Sequence, residues 1–529
     1  MPPIPRCDRH RPSPSPELVA AVGGSAVLSP RLALAGLAAA VAGVALVAFL
    51  ADRVAPFFLD LDKPPEVLVH EAQQILKDLG STVPPAHRAH GFVREGKKGQ
   101  KRLLFWYRQS PRPLAEGTVA GVDPSFSNPP PLVPGMAGVR LDATGVLVEY
   151  LRVPPPDEAA ATTALSWEAA LRRAGLEPAA AQVAAPAALP PVFGEERYAW
   201  LSEQGGRPIR TEAASFRGRP VWFRVARPDA ATDEAAGAGP EMYFSVGVLL
   251  LAAILARRHL RFGRADRDGA RRLAILGAVW GIVGSGPLKD PHVLDPSRIL
   301  YWVMLTLLII VALWLLSLAL EPIVRRRWPD TLVSWTRLLR GRVLDPLVGR
   351  DILLGVLSGV ALALLSHAYS AAAADRWPAS TKQLAGGWYA LADRVVDCGQ
   401  GVLFGLMTLM LLTLLRQLLR RTWAAFAAVI LVLVTMDILG GQSATGAAFS
   451  VLGIGIGLGL LVWPGLLTAV VAWGVGNFLS DTLMTTHLGE WYAASAVSGI
   501  LATLAVAVWG FYAALGGRPL FGDPGREQA

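Results

Sequence analysis

The chain has 529 residues, of which 53% are hydrophobic and only 17% are charged, whereas an average soluble protein has about 25% charged residues. This composition excludes a soluble multidomain enzyme, a disordered chain and a disulfide scaffold. The net charge of +9 does not indicate nucleic-acid binding, because acidic and basic residues are equal in number between positions 51 and 240. The surplus lies in the apolar part and at the N-terminus, so we expect no nucleic-acid partner.

The N-terminal region has two parts. Residues 1–30 are proline-rich, basic and without apolar periodicity, which predicts a disordered cytoplasmic leader. Residues 31–51 form the first apolar run. That run is longer than the roughly 7–15 apolar residues of a signal peptide, so we expect a retained transmembrane helix.

Residues 52–240 are the one sizeable polar segment and are predicted to form an extracytoplasmic α+β domain. Apolar residues at helical spacing predict helices, and alternating or continuous apolar runs predict strands. The predicted helices cover 65–76 and 167–174, and the predicted strands cover 103–107, the hairpin 139–151, 198–201 and 220–225. The order helix, strands, helix, strands suggests a twofold-repeated α+β unit.

Residues 241–516 are predicted to form a multi-pass membrane domain, because apolar runs close to the ~20 residues of a span recur there. The stretch 444–476 is too long for one ordinary span. Two short spans meeting at Trp463-Pro464-Gly465 give ten spans in total, whereas one kinked helix gives nine. The predicted fold class is therefore mainly α: a multi-pass transmembrane helix bundle of about ten spans with one inserted extracytoplasmic α+β domain.

Arginine is concentrated in alternate loops. The loops 257–272, 321–351 and 416–421 are rich in arginine, and the loops between them are poor in cations. The positive-inside rule places the arginine-rich set in the cytoplasm. The domain 52–240 then lies outside, and the tail 517–529 lies in the cytoplasm.

The loop 321–351 is the most distinctive stretch. Its apolar residues recur at helical spacing, with arginines on the opposite face, which predicts a basic amphipathic helix on the inner leaflet. Each arginine near anionic lipid contributes about 1 kcal/mol. We expect anionic inner-leaflet lipids as partners, contacted by Arg325, Arg326, Arg327, Trp335, Arg337, Arg340 and Arg342.

Several stretches resemble the C-terminal part of a group of bacterial receptor-type serine/threonine protein kinases. They are SPSPELVAA (13–21), FWYRQSPRPL (105–114), the loop 321–351 and LGGRPLFGD (515–523). The resemblance implies a membrane and extracytoplasmic sensor in the bacterial inner membrane, with a cytoplasmic kinase domain in front of it. The chain contains no Gly-rich loop, HRD or DFG, so the kinase domain is missing here. It would be encoded upstream or as a separate partner.

Enzyme motifs are also absent elsewhere, with no Walker loop, HExxH or GxSxG. We therefore expect no catalytic, cofactor-binding or metal-binding residue. Signals would enter at the external domain, where strand alternation leaves about half of the side chains accessible. The candidate ligand contacts are Trp106, Tyr107, Arg108, Trp222 and Arg224.

Two other classes of function stay open. A stand-alone permease or channel would need polar residues deep in its spans, and such residues are scarce beyond His367 and Asp437. An intramembrane enzyme is the third reading. In each case the bundle could assemble as a homo-oligomer.

Overall fold

The computed structural model describes most of the chain. It covers residues 27–54, 63–81, 83–96, 102–114, 124–162, 165–204, 207–226, 240–263, 265–285, 296–373, 384, 388–482 and 484–518. Nearly all of the predicted leader 1–30 and of the predicted tail 517–529 lies outside these residues.

The described residues form a helix bundle and one antiparallel sheet domain. In chain order the elements are α1 (Pro30–Val54), α2 (Pro65–Asp78), β1 (His87–Glu95), β2 (Arg102–Ser110), β3 (Ala137–Asp142), β4 (Leu147–Arg152), α3 (Glu168–Arg173), β5 (Gln182–Val183), β6 (Glu196–Gln204), β7 (Arg207–Phe216), β8 (Arg219–Ala226), α4 (Pro240–Arg261), α5 (Arg267–Ser285), α6 (Pro296–Arg327), α7 (Val333–Leu339), α8 (Pro346–Ala373), α9 (Trp388–Leu419), α10 (Thr422–Leu439), α11 (Ala444–Val462), α12 (Leu466–Asp481) and α13 (Ala493–Leu515).

Eight of the helices in the described residues are long and apolar enough to cross a membrane: α1, α4, α6, α8, α9, α10, α11 and α13. The chain is thus a multi-pass membrane protein in its fold, but the predicted count of about ten spans is not confirmed. The two remaining helices explain the difference. Helix α5 begins with a charged turn that includes Arg271 and Arg272, and α12 has only 16 residues.

The break between α11 and α12 confirms two helices rather than one kinked helix at 463–465. Gly465 has φ +118°, and a Cβ built there would lie 2.7 Å from the carbonyl oxygen of Thr331. A side chain is therefore excluded on both conformational and steric grounds. The turn packs directly on the short 3₁₀ turn Pro329–Leu332 that follows α6.

The helix ends that the structure describes come together at two ends of the bundle. At one end, Arg325 of α6 pairs with Asp266 before α5 at 3.4 Å, and the Trp509 indole N–H of α13 donates to the Val343 carbonyl at 3.0 Å. We call this the arginine end. The sheet domain packs at the other end, which we call the sheet end.

The sheet domain is one eight-stranded antiparallel sheet in the order β1-β2-β3-β4-β8-β7-β6-β5. Each half is a four-stranded meander, and the two meanders join through their last strands, where Tyr150 pairs with Phe223. Each half is preceded by a helix, α2 or α3. The twofold α+β arrangement suggested by the order of elements is therefore present in the topology.

The two halves also share a local irregularity. In the first half, Val139 pairs with Tyr150, and the register shifts between Arg140 and Leu141. In the second half, Ala213 pairs with Phe223, and the register shifts between Ala214 and Ser215. The two β-bulges therefore occupy equivalent positions one residue after the matched pair.

Both faces of the sheet are covered. One face packs on α2 and α3 through residues such as Leu68, Ile75 and Leu171. The other face holds a second core around Trp106 and Trp222. The predicted helices and the hairpin are confirmed, but β1, β5 and β7 were not predicted. Strands β1 and β7 are rich in charged residues, and β5 has only two residues.

Candidate functional site

The predicted ligand contacts are mostly buried, which corrects the expectation that half of them face solvent. Trp106, Tyr107, Arg108 and Trp222 are all at most 7% exposed, and only Arg224 is partly accessible. Alternation leaves one face free only when nothing covers that face. Here both faces are covered, so these side chains belong to the interior of the domain.

The buried polar side chains among them have defined structural partners. The Arg108 guanidinium donates from Nη1 to the carbonyls of Ser125 and Pro129, at 3.0 and 2.7 Å. The Trp222 indole N–H donates to a carboxylate oxygen of Glu149 at 3.1 Å. These bonds satisfy groups that would otherwise be costly to bury. They hold the segment 124–136 and strand β4 in place.

Tyr107 and Tyr150 lie in the core between the sheet and α2. The Tyr107 hydroxyl accepts from Gln73 at 3.2 Å, and burial raises the pKa of Tyr107. The Tyr150 hydroxyl donates to the Leu79 carbonyl at 3.2 Å, and burial raises its pKa to about 12. Both phenols therefore stay neutral and act as structural hydrogen-bonding groups.

The predicted lipid-facing arginines separate into two sets. Arg325, Trp335 and Arg337 are buried inside the protein, at 7–8% exposure, which corrects their assignment to the membrane surface. Arg326, Arg327 and Arg342 are exposed, and Arg340 is half-buried. The helical stretch is also shorter than predicted, because α7 covers only Val333–Leu339.

The burial of Arg337 follows from a partner that helical spacing does not reveal. Its Nη1 donates to both carboxylate oxygens of Asp345, at 2.9 and 3.0 Å. The chain reverses at Gly341, which has φ +81°, a conformation that favours glycine. Asp345 also accepts from the Leu347 N–H at 3.0 Å and thus caps the start of α8.

A second buried cluster joins three helices at the arginine end. Arg325 pairs with Glu321 one turn earlier in α6 and with Asp266 before α5. The His259 ring in α4 contacts the Leu318 carbonyl at 3.2 Å through Nδ1. Because removing one partner of a buried ion pair is strongly destabilising, this cluster fixes the relative positions of α4, α5 and α6.

The sheet domain and the helix bundle share one hydrophobic core at the sheet end. Trp491 stacks on Phe92 of β1, with ring centroids 6.4 Å apart and planes 16° apart. Tyr492, which directly precedes α13, and Leu384, which lies shortly before α9, are buried in the same core as Leu68 of α2. Sequence reasoning missed this junction, because Trp491-Tyr492 reads as an ordinary aromatic pair at a membrane boundary.

Helix α13 runs from this junction to the arginine end. It begins directly after Tyr492. The indole N–H of Trp509, 17 residues after Tyr492, donates to the Val343 carbonyl. That separation corresponds to about 26 Å of helix. The main-chain N–H of Leu28, which precedes α1, also donates to the Ala514 carbonyl at 3.2 Å. One rigid element therefore contacts the sheet domain at one end and the arginine-rich loop at the other.

The described residues offer little reaction chemistry. No group of three His, Cys, Asp or Glu side chains that could hold a metal ion comes together within them. Of the two intramembrane candidates, His367 contacts the Ala363 carbonyl at 2.8 Å within its own helix, and Asp437 lies half-buried in α10. The polar clusters are ion pairs that join elements, so the fold defines a multi-pass membrane protein with an attached antiparallel sheet domain.

Comparison with known proteins adds no family. No protein-family model, no curated protein and no solved structure matches this chain.

Proposed function

We propose that the chain is a membrane-embedded sensor, in which the sheet domain receives a signal outside the membrane and the helix bundle relays it to the arginine end. The observation that carries the proposal is the shared core: Phe92 of β1 packs with Trp491 and Tyr492, and α13 starts directly after them. A ligand that shifts the sheet must therefore displace the start of α13. A ligand that binds only one position of the sheet makes different contacts in the two states, which is what a two-state switch requires.

In this proposal the membrane is the bacterial inner membrane, with the sheet domain outside and the arginine end in the cytoplasm. The arginine content of the loops supports this orientation through the positive-inside rule. The proposed number of crossings is ten. It counts α5 and α12 as spans in addition to the eight long apolar helices, and the alternation of arginine-rich and arginine-poor loops supports this count.

The receptor partner in this proposal is a serine/threonine kinase domain, encoded upstream of Met1 or as a separate protein. The resemblance of SPSPELVAA (13–21) and FWYRQSPRPL (105–114) to bacterial receptor-type kinases supports it. Sequencing the DNA in front of the Met1 codon tests the first possibility. An in-frame reading with HRD and DFG motifs supports a fused receptor, and a stop codon directly before Met1 rules the fusion out.

The non-catalytic role of the chain has its own test. Phosphoryl transfer requires residues that hold magnesium and orient the acceptor hydroxyl. The purified 529-residue chain is incubated with labelled ATP and Mg²⁺, and we expect no incorporation of label. Magnesium-dependent autophosphorylation by this chain alone would contradict the proposal.

A further inference from the structure

An apolar groove of about 680 Å³ opens between α5, α9, α12 and α13. Its volume falls within the roughly 300–1,000 Å³ of small-molecule sites, and its walls are almost entirely apolar. Along α12 the lining extends from Leu467 to Phe478, which corresponds to about 17 Å of helix. That length is close to half of the ~30 Å hydrocarbon core of a bilayer, so the groove is long enough for one acyl chain.

The end of the groove at the arginine end carries a cation. Arg272, in the first turns of α5, lines the groove and also lines an adjoining polar cavity of about 270 Å³, which Arg340 borders as well. The Arg272 Nη1 donates to the Leu339 carbonyl at 3.2 Å, and a guanidinium carries further N–H donors. Trp509 lies at the same rim, and its indole N–H donates to the Val343 carbonyl.

Within the described part of the chain, the acidic residues Asp266, Asp268 and Glu321 line the polar cavity and not the groove. Asp266 and Glu321 both pair with Arg325, which neutralises part of their charge. Asp268 and Arg272 are both exposed on α5, where solvent screens them. Arg272 is the one charged side chain among the described residues that line the groove, so the rim is suited to an anion at Arg272.

The residues that line the groove include a buried polar side chain. Thr503 of α13 lines the groove and is 2% exposed, and its hydroxyl has no hydrogen-bond partner within the described part of the chain. A buried hydroxyl without a partner costs free energy.

We propose that this groove binds one anionic phospholipid from the leaflet at the arginine end. One acyl chain lies along α12 between α5 and α13, and the phosphate lies at Arg272. Basic pockets between transmembrane helices bind anionic headgroups on the same physical grounds. The proposal does not depend on the sensory function.

The headgroup contact is tested by native mass spectrometry of the full chain in neutral detergent, with added phosphatidylglycerol or phosphatidylcholine of identical acyl chains. We expect one phosphatidylglycerol to be retained about fivefold more than phosphatidylcholine. The variant Arg272→Gln should lose this preference. The matched control Arg271→Gln, which alters an exposed arginine that does not line the groove, should keep it. Equal retention of the two lipids by the wild type would overturn the proposal.

The acyl contact is tested by filling the groove. Gly474 of α12 lines it, and a Cβ built at Gly474 meets no atom within 4 Å. Gly474→Leu should therefore fold and abolish retention of both lipids. Gly455→Leu in α11 is the control, because its Cβ also meets open space and lies outside the groove. Unchanged lipid retention in Gly474→Leu would refute the proposal that a lipid fills the groove. A lipid-free dimer of the wild type would refute it as well.

Discussion

Trp491 stacks on Phe92 across the boundary between the helix bundle and the sheet domain, with centroids 6.4 Å apart and planes 16° apart. The two residues are separated by almost 400 positions in the sequence, yet they belong to the same hydrophobic core. The sheet domain is therefore packed onto the bundle rather than only tethered to it by the segments around α1 and α4.

The Phe92–Trp491 contact should be energetically coupled. Replacing either ring with alanine removes the same stacking contact, so the effects on the melting temperature should not add. Aromatic pairs contribute about 0.5–1.5 kcal/mol beyond the burial of their area. A double-mutant cycle on the full chain in nanodiscs measures this energy. Additive losses within error would show that the two rings do not interact.

The Arg337–Asp345 pair should be a major stabilising feature of the loop at the arginine end. Asp345→Asn keeps an acceptor for the Leu347 N–H and so preserves the cap of α8, but it leaves the buried Arg337 without its counter-charge. We expect a loss of about 3 kcal/mol, seen as a lower melting temperature. Arg342→Gln, at an exposed arginine in the same loop, should change stability by no more than about 0.5 kcal/mol. Comparable losses in both variants would contradict the pairing.

Tyr150 should make the stability of the sheet domain sensitive to alkaline pH. Burial raises the pKa of Tyr150 to about 12, whereas an unfolded tyrosine ionises near pH ~10. The contribution of Tyr150 is thus complete below pH ~10 and is lost as the pH rises from about 10 to 12. Tyr150→Phe should cost about 1 kcal/mol at neutral pH, and this deficit should shrink by pH ~11. Thermal unfolding of both proteins at the two pH values measures it, and a constant deficit would contradict the expected titration.

The proposed orientation predicts that cysteines placed at two exposed leucine positions are labelled from opposite sides of the membrane. Leu488 lies in the connection before α13 at the sheet end, and Leu344 lies in the loop at the arginine end, with 73% and 57% exposure. Each is replaced by cysteine in a background where Cys7 and Cys398 are serine. A membrane-impermeant maleimide added to intact bacterial cells without an outer membrane should label position 488 only. Labelling of position 344 alone would reverse the orientation.

Much of the fold could be predicted from the sequence, because apolar run length and strand alternation are local signals. They identified the long helices, helix α2 and the hairpin of β3 and β4. They missed β5, which has two residues, and the charged strands β1 and β7. In β1, Glu95 pairs across the sheet with Arg102 and Arg140. Such pairs become visible only when the strand order is known.

The functional residues were harder to predict, because their environments depend on distant segments. Arg337 follows helical spacing onto a polar face, but the reversal at Gly341 brings Asp345 to it. Trp106 and Arg108 occupy the same face of β2, and the segment around Phe126 covers that face. That segment is rich in proline and has no apolar periodicity, so its packing leaves no mark in the sequence pattern.

The central claim is that the sheet domain is coupled through its shared core to the arginine end. Hydrogen exchange measured by mass spectrometry on the full chain in nanodiscs tests it directly, with the variants Phe92→Ala and Phe216→Ala. The two rings have similar burial, but Phe216 belongs to the core on the other face of the sheet. We predict that Phe92→Ala increases exchange at the start of α13 and in the loop around Val343, and that Phe216→Ala increases it only within the sheet domain. Identical patterns in the two variants, with the loop unchanged, would contradict the coupling.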